Sequence, residues 1–375
     1  MAEENIYTVK LIADKKGNLR QAGTVDPVGD LIEEIKRKCE EDLFYFCVYV
    51  LKRDYLTETL HAPVCDWLTK CPPVRKMLLL PRRHAKTSIV SHGLPLHILI
   101  QPEENNPYQP GMAGCDMKIL LAGEVEKRAA ENMQVIRLVF ENNVEFRGMW
   151  PHLCWENPRR QASAWNNTSL VIPRNVHFPD PTIRAAGAGG AITGTRPHVA
   201  IKDDIVSEEA ANSPVVMQSA IEWHRNTRAL YENQDTSLEY IIGTRWAVQD
   251  LYSHIIENDP TVEPMIRSIV EDGKPIYPEA FTLESVEALR KSMGVMFALM
   301  YMNNVGDPDL VDFPEEELRF FRRNGNILEF MNDLRDATLE KKVNKNFELP
   351  TRGMSVYDAF DVWHESRDKY DFYRR

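Results

Sequence analysis

The chain has 375 residues, enough for two domains or for one large α/β domain with an extension. Its make-up (43% hydrophobic, 27% charged, 9% aromatic) is that of a soluble globular protein, and no apolar run is long enough to span a membrane. A net charge of −11 argues against a surface coated for nucleic acid, so any DNA contact has to be local.

In chain order, residues 1–26 read as a polar, weakly ordered arm that starts Met-Ala-Glu-Glu, without the pattern of a signal peptide. Residues 27–52 carry a helical pattern, with Leu31, Ile32 and Ile35 on one face and a bulky apolar second half from Leu43. An apolar strand at 77–80, a basic loop and a helix over about 86–100 follow. A turn-rich stretch (105–116) leads into a second strand, "KILLAG" (118–123), and a helix through about 140. "TSLVIP" (168–173) and "TIRAAG" (182–187) read as a β pair, "HVAIKDD" (198–204) as a buried strand, 213–232 as a helix and "LEYIIGT" (238–244) as a further strand. Beyond about 285 the pattern is helical and polar, with no clear second core. Strands alternating with helices predict an α/β fold with a largely parallel sheet. Six cysteines, spread out with no C-x-x-C, read as reduced thiols of a reducing cytoplasm. Charge is uneven: residues 70–86 hold six Lys/Arg and no acid, and 307–317 hold six acids and no base.

The chemistry starts at "LLLPRRHAKTSIVSHG" (78–93). Strand, loop, Lys-Thr and helix follow one another as in a phosphate-binding P-loop, yet Pro81, Arg82, Arg83, His84 and Ala85 stand where glycines usually let backbone N–H groups approach phosphate. Alone, this is equally a basic surface turn. "HVAIKDD" supplies a strand ending in two carboxylates. Asp203 is the candidate Mg²⁺ ligand, with the Thr87 hydroxyl as its companion, and Asp204 is the group to polarise an attacking water. "YIIGTRWAVQDL" ends a third strand in Gly243-Thr244-Arg245, and the Thr244 hydroxyl is placed to sense a terminal phosphate. Each piece is weak alone; together, in this order, they make a nucleotide-hydrolysing constellation.

Over roughly residues 40–325 the chain resembles the ATPase portion of the large terminase subunit of tailed bacteriophages. The resemblance rests on "DLFYFCVYVLKRDYLTETLHAPVCDWL", "PRRHAKTS", "KILLAGEVEKRA", "IRAAGAGGAITGTRPHVAIKDD", "IIGTRWAVQDLYSHI" and "FALMYMNNVGDPD". It implies a P-loop NTPase fold of the ASCE type over 27–325, with a helical lid or linker from about 285 and helical extensions at both ends. ATP and Mg²⁺ are the implied cofactors. Arg82, four residues before Lys86, would reach the γ-phosphate in cis, its guanidinium standing in for glycine-loop N–H groups. Arg83, His84, Ala85, Lys86, Thr87 and Ser88 would line the phosphates. His61 stands where such motors contact adenine, and reads equally as a helix-capping histidine. Arg196 and Arg245 are candidates for an arginine supplied in trans, each equally readable as a surface ion-pair partner. The glycines at 187, 189, 190 and 194 read either as a surface loop or as a mobile element near the nucleotide, and Trp155 and Trp165 as core residues.

The resemblance further implies a homo-oligomeric ring, a pentamer, that acts on double-stranded DNA with a portal protein and a small terminase subunit. Its place would be the host cytoplasm and, transiently, the portal vertex of a procapsid; no membrane is involved. Two departures stand out. The water-activating acid is often Glu in that family and here is Asp204, with Glu208 and Glu209 nearby as substitutes. Residues 326–375 read as a linker or as the start of a nuclease domain, with Asp358 or Asp361 as its first acid. Another P-loop translocase or helicase, and a nucleotide-binding scaffold without turnover, stay open as alternatives.

Overall fold

The computed structural model describes residues 8–13, 19–25, 27–190, 195–304, 320–324, 327–331 and 345–348. The chain divides into two compact units, 1–306 and 307–375. The first is built on a seven-stranded sheet: β1 (Arg75–Leu79), β2 (Ile119–Gly123), β3 (Ser169–Leu170), β4 (Ile183–Gly187), β5 (Val199–Asp203), β6 (Leu238–Gly243) and β7 (Glu263–Ile266). Their order is β3-β4-β2-β5-β6-β1-β7. β3 alone runs antiparallel to its neighbour. This is an α/β fold with a mostly parallel sheet, and β6, tipped by Thr244, lies between the loop strand β1 and the acidic strand β5.

Parallel strands buried on both faces read as continuous apolar runs, which is why β2, β5 and β6 stand out in the sequence. Alternation assigns the two faces. Leu78, Leu121, Ile201 and Tyr240 enter one core with helices α1 (Pro27–Glu41), α2 (Leu43–Tyr49), α3 (His61–Thr69), α4 (Leu94–Leu99), α5 (Glu126–Asn142) and α6 (Val144–Met149). Met77, Leu120, Ala200 and Ile241 enter a second core with α7 (Pro214–Arg228) and α8 (Leu251–Asn258). Register aligns Gly187 with Gly123, Gly123 with Asp203, Asp203 with Ile242, and Leu79 with Gly243. The carboxyl ends of five strands therefore finish in one row, the edge where open α/β sheets bind ligands.

Five expectations change. The helix over 27–52 is two helices, because the Asp42 side chain accepts the Tyr45 N–H at 3.0 Å and caps α2. The helix over 86–100 opens with a π-turn, Ser88–Gly93, and its Gly93 is pressed on the Cys47 sulfur where any Cβ would collide. The arm over 1–26 contains an antiparallel pair, Thr8–Ala13 with Leu19–Val25. Past residue 285 the chain does have a core: α9 (Leu283–Met293) and α10 (Val295–Met300) close a third cluster of Leu60, Ile269, Tyr277, Phe281, Val286 and Phe297. In the second unit, strands Phe320–Asn324, Ile327–Met331 and Lys345–Glu348 form an antiparallel sheet where a helical pattern had been read. Asp358 and Asp361 lie outside the described residues.

Candidate active site

The loop between β1 and the π-turn solves its lack of glycine by brute conformation. Arg83 (φ 65°) and Ala85 (φ 58°) adopt the left-handed geometry that glycine fills without strain. Each side chain costs of order 1–2 kcal/mol there. The turn this produces sends Lys86 inward. Its Nζ donates to the Thr244 Oγ1 at 2.8 Å, across 158 positions of sequence, and both residues are buried. Burial pulls the Lys86 pKa below its ordinary value, against the opposing pull of Asp204 and Asp203. A buried cation facing only a neutral hydroxyl and two nearby carboxylates suits a site that receives an anion.

Asp203 ends β5 and is 7% exposed. Its Oδ1 accepts from Thr87 Oγ1 at 3.4 Å; its Oδ2 accepts from Ser91 Oγ at 2.6 Å and from Asn132 Nδ2 at 3.2 Å. Burial, then the charge of Asp204, push the Asp203 carboxyl up to about 6. Among the described residues no three His, Cys, Asp or Glu side chains converge as a resident metal centre would need. A Mg²⁺ that arrives with nucleotide needs less, one or two carboxylates and the phosphates themselves, and the Asp203–Thr87 pair meets that need.

Asp204 turns the other way. Its backbone is left-handed (φ 45°), its N–H donates to the Ile242 carbonyl at 3.0 Å, and its carboxylate is exposed. A cleft of about 310 Å³ opens here, lined by Arg82, Thr87, Arg128, Asp203, Asp204 and Trp246, among others. Glu208 and Glu209, on the short helix Glu208–Ala211, are exposed and do not line it. The Arg82 guanidinium lies over the Trp246 ring, 4.5 Å from its centre, which holds a flexible cation at the cleft wall. Arg83 is exposed.

Other sequence candidates take different places. His84 is buried, stacked on Phe281 at 5.0 Å with its Nδ1 2.9 Å from the Arg82 carbonyl; burial lowers it to about 4, so its side chain brings no charge to a phosphate. His61 is also fully buried, edge-on to Tyr277 at 5.0 Å, accepts the Thr57 N–H at 2.9 Å, and is lowered to about 4. Its ring packs on Tyr277 of the third core cluster. The Ser88 hydroxyl is engaged by Tyr55 Oη at 2.9 Å. Arg245 is 3% exposed and clamped on Asp250 at 3.1 Å and on the Ser253 hydroxyl, so it braces the turn that follows β6. Arg196 is exposed. Trp155 and Trp165 are half-buried, donating to the Val171 carbonyl at 2.8 Å and to Glu141 at 2.7 Å. Gly187 is buried at the end of β4, and Gly194 lies outside the described residues.

Sequence reasoning missed Ser91, Asn132, Arg128 and Trp246. Ser91 had a signal, since it stands one helical turn after Thr87. Asn132 had none, because only the fold brings α5 beside β5.

No family model and no curated protein matches the chain. Solved structures do. The large terminase of bacteriophage HK97 is similar over 54% of this chain and 37% of its own, so the chain spans well under half of that protein (17% identity, TM-score 0.34). The large terminase ATPase domain of Thermus phage P74-26 is similar over 63% of this chain and 90% of its own (15% identity, TM-score 0.37). Saccharomyces cerevisiae Dbp5, solved with ADP, is similar over 60% and 52% (9% identity, TM-score 0.35). Two of these three are phage large terminases, the family that the sequence motifs resemble.

Proposed function

We propose that the chain is the ATPase portion of a large terminase, a motor subunit that drives double-stranded DNA into a procapsid by hydrolysing ATP. The observation that carries the nucleotide chemistry is the meeting of Lys86, Thr87, Thr244 and Asp203 at adjoining strand ends. Lys86 and Arg82 neutralise phosphate charge, the latter from the cleft wall. Asp203 and Thr87 would hold Mg²⁺, which would screen the phosphate oxygens. Asp204, exposed beside them, orients the water. Thr244, bonded to Lys86 in this structure, exchanges that bond for one to the terminal phosphate and so reports its presence to β6.

DNA, a portal protein, a small terminase subunit and a pentameric ring of this chain complete the proposal, with the host cytoplasm and the portal vertex as its place. Sequence resemblance supports this part. No described helix is long and apolar enough to cross a membrane.

The test is steady-state phosphate release with and without duplex DNA. Turnover that duplex DNA stimulates is expected; stimulation by single strands alone would favour a helicase, and tight ATP binding without turnover a scaffold. Asp204→Asn should bind Mg²⁺–ATP and hydrolyse it slowly, whereas Asp203→Asn should lose the Mg²⁺-dependent part of its affinity. Variants indistinguishable in both readouts would require new roles for the two acids.

A further inference from the structure

We propose that Ser91, Asn132 and His92 form a positioning chain that locks one oxygen of the Asp203 carboxylate and leaves the other for a divalent cation. The proposal rests on the nucleotide-binding reading above and concerns residues outside the loop motif.

A carboxylate has two oxygens and about four lone-pair directions, and one that is free to rotate can meet a cation through either oxygen or both. At Asp203 the two oxygens are unequal. Oδ2 takes the Ser91 hydroxyl at 2.6 Å and the Asn132 amide at 3.2 Å, whereas Oδ1 has only the long contact to Thr87 at 3.4 Å. Ser91 is fully buried, so its short bond is protected from water. Both donors to Oδ2 are neutral, so they orient the carboxylate without cancelling its charge.

The third member fixes the second. An amide has a donor end and an acceptor end, and Asn132 could present either to Asp203. Its Oδ1 lies 3.0 Å from His92 Nε2. With the proton on Nε2, His92 donates to that oxygen and holds the amide with its NH₂ toward Asp203. Reversed, the amide oxygen would face a carboxylate oxygen.

Placement explains why these residues serve. Ser91 and His92 lie on the π-turn that follows the phosphate loop, and Thr87 just precedes it. One segment therefore delivers the Thr87 hydroxyl to Oδ1 and the Ser91 hydroxyl to Oδ2. Local π geometry recurs at functional sites because it re-aims side chains that a regular helix would space differently. Asn132 comes from α5 and reaches the same oxygen as Ser91. Partners of this outer kind, when removed, commonly cost about 10- to 100-fold in metal affinity.

The test uses the full chain and a fluorescent ATP analogue, titrated with Mg²⁺ and, separately, in EDTA. Ser91→Ala and Asn132→Ala are each expected to raise the Mg²⁺ concentration for half-maximal metal-dependent binding by about tenfold or more. Affinity in EDTA should match wild type, which general loss of structure would not allow. In an Asp203→Asn background, which has already lost the Mg²⁺-dependent part of its affinity, Asn132→Ala should change nucleotide affinity no further with or without Mg²⁺, because the group it positions has been replaced. Asn132 is only half-buried on α5, so its variant carries the test even if Ser91→Ala fails to fold. Folded single variants with the wild-type Mg²⁺ midpoint overturn the positioning chain and leave the nucleotide site standing. A wild-type chain whose nucleotide affinity ignores Mg²⁺ overturns both.

Discussion

At the scale of single residues, the loop shows how a site can be built from amino acids that do not suit it. Ala85 and Arg83 sit in left-handed backbone, and Lys86 is buried without a counter-anion in direct contact. Such strain persists only where the surroundings over-determine it. Ala85→Gly removes a steric cost of about 1–2 kcal/mol and adds about 0.5–1 kcal/mol of chain entropy, so a net gain of roughly 0.5–1 kcal/mol is expected. It should appear as a higher urea midpoint with an unchanged slope; a lower midpoint would mean that the methyl group packs usefully. Lys86→Ala tests function at the same place. It should cut ATP turnover by about 100-fold or more, since charge stabilisation is strongest where water is excluded. Because burial already disfavours this cation, its thermal midpoint should hold or rise. Turnover within about twofold of wild type would end the P-loop assignment.

At the scale of elements, legibility followed burial. β2, β5 and β6 were readable as apolar runs, and the two acids and the threonine that follow them were readable as chemistry. β7 was not, because Glu263–Ile266 is an exposed edge strand with Pro264 in it, without the buried pattern of a central strand. The π-turn was hidden too, since it depends on Gly93 lying against Cys47 from another helix. The burial of His61 and His84 was hidden for a related reason: sequence gives their neighbours along the chain, not Tyr277 and Phe281. One buried feature gave no periodic signal at all. Lys202, the residue before Asp203, points to the opposite sheet face and pairs with Glu239 at 2.6 Å, both fully buried. Arg228 Nε adds a bond to Glu239 at 2.8 Å and a second pairing to Asp259. Burial pushes the Glu239 carboxyl up, but the charges of Lys202 and Arg228 outweigh it and hold it below the usual range. The network ties β5, β6 and α7 together directly beneath the acids. Glu239→Gln leaves Lys202 buried and unpaired and should cost about 3–5 kcal/mol. Glu239→Leu combined with Lys202→Met should recover most of that loss, because Arg228 retains Asp259. If the double variant in urea unfolding is as weak as the single one, packing and not charge pairing governs this region.

At the scale of the whole molecule, acid should unfold this protein by a route its net charge does not reveal. Six imidazoles are held neutral by burial, His61, His84, His92 and His198 down to about 4 and His97 and His224 to about 3. In the unfolded chain each returns to about 6.5. The unfolded state therefore binds protons first, and stability that is fully present above pH 6.5 is lost as pH falls toward the folded values. Each such group contributes a slope of about 1.4 kcal/mol per pH unit across that window. Asp203 works in the opposite direction: burial raises it from 3.8 to about 6, so the folded state takes up that one proton more readily below pH 6. Glu40 and Asp250 are raised by burial as well, and three carboxyls against six imidazoles do not reverse the sign. Even at half the ideal slope, the combined loss between pH 6.5 and 4 is comparable with the roughly 5–15 kcal/mol that holds a typical domain folded. Urea unfolding should give a plateau from pH 7.5 to about 6.5 and steadily falling free energies at pH 6, 5.5 and 5, with loss of far-UV circular dichroism before pH 4. A stability that stayed flat from pH 7.5 to 5 would mean that these imidazoles take up protons inside the fold, and that the cores around them admit water.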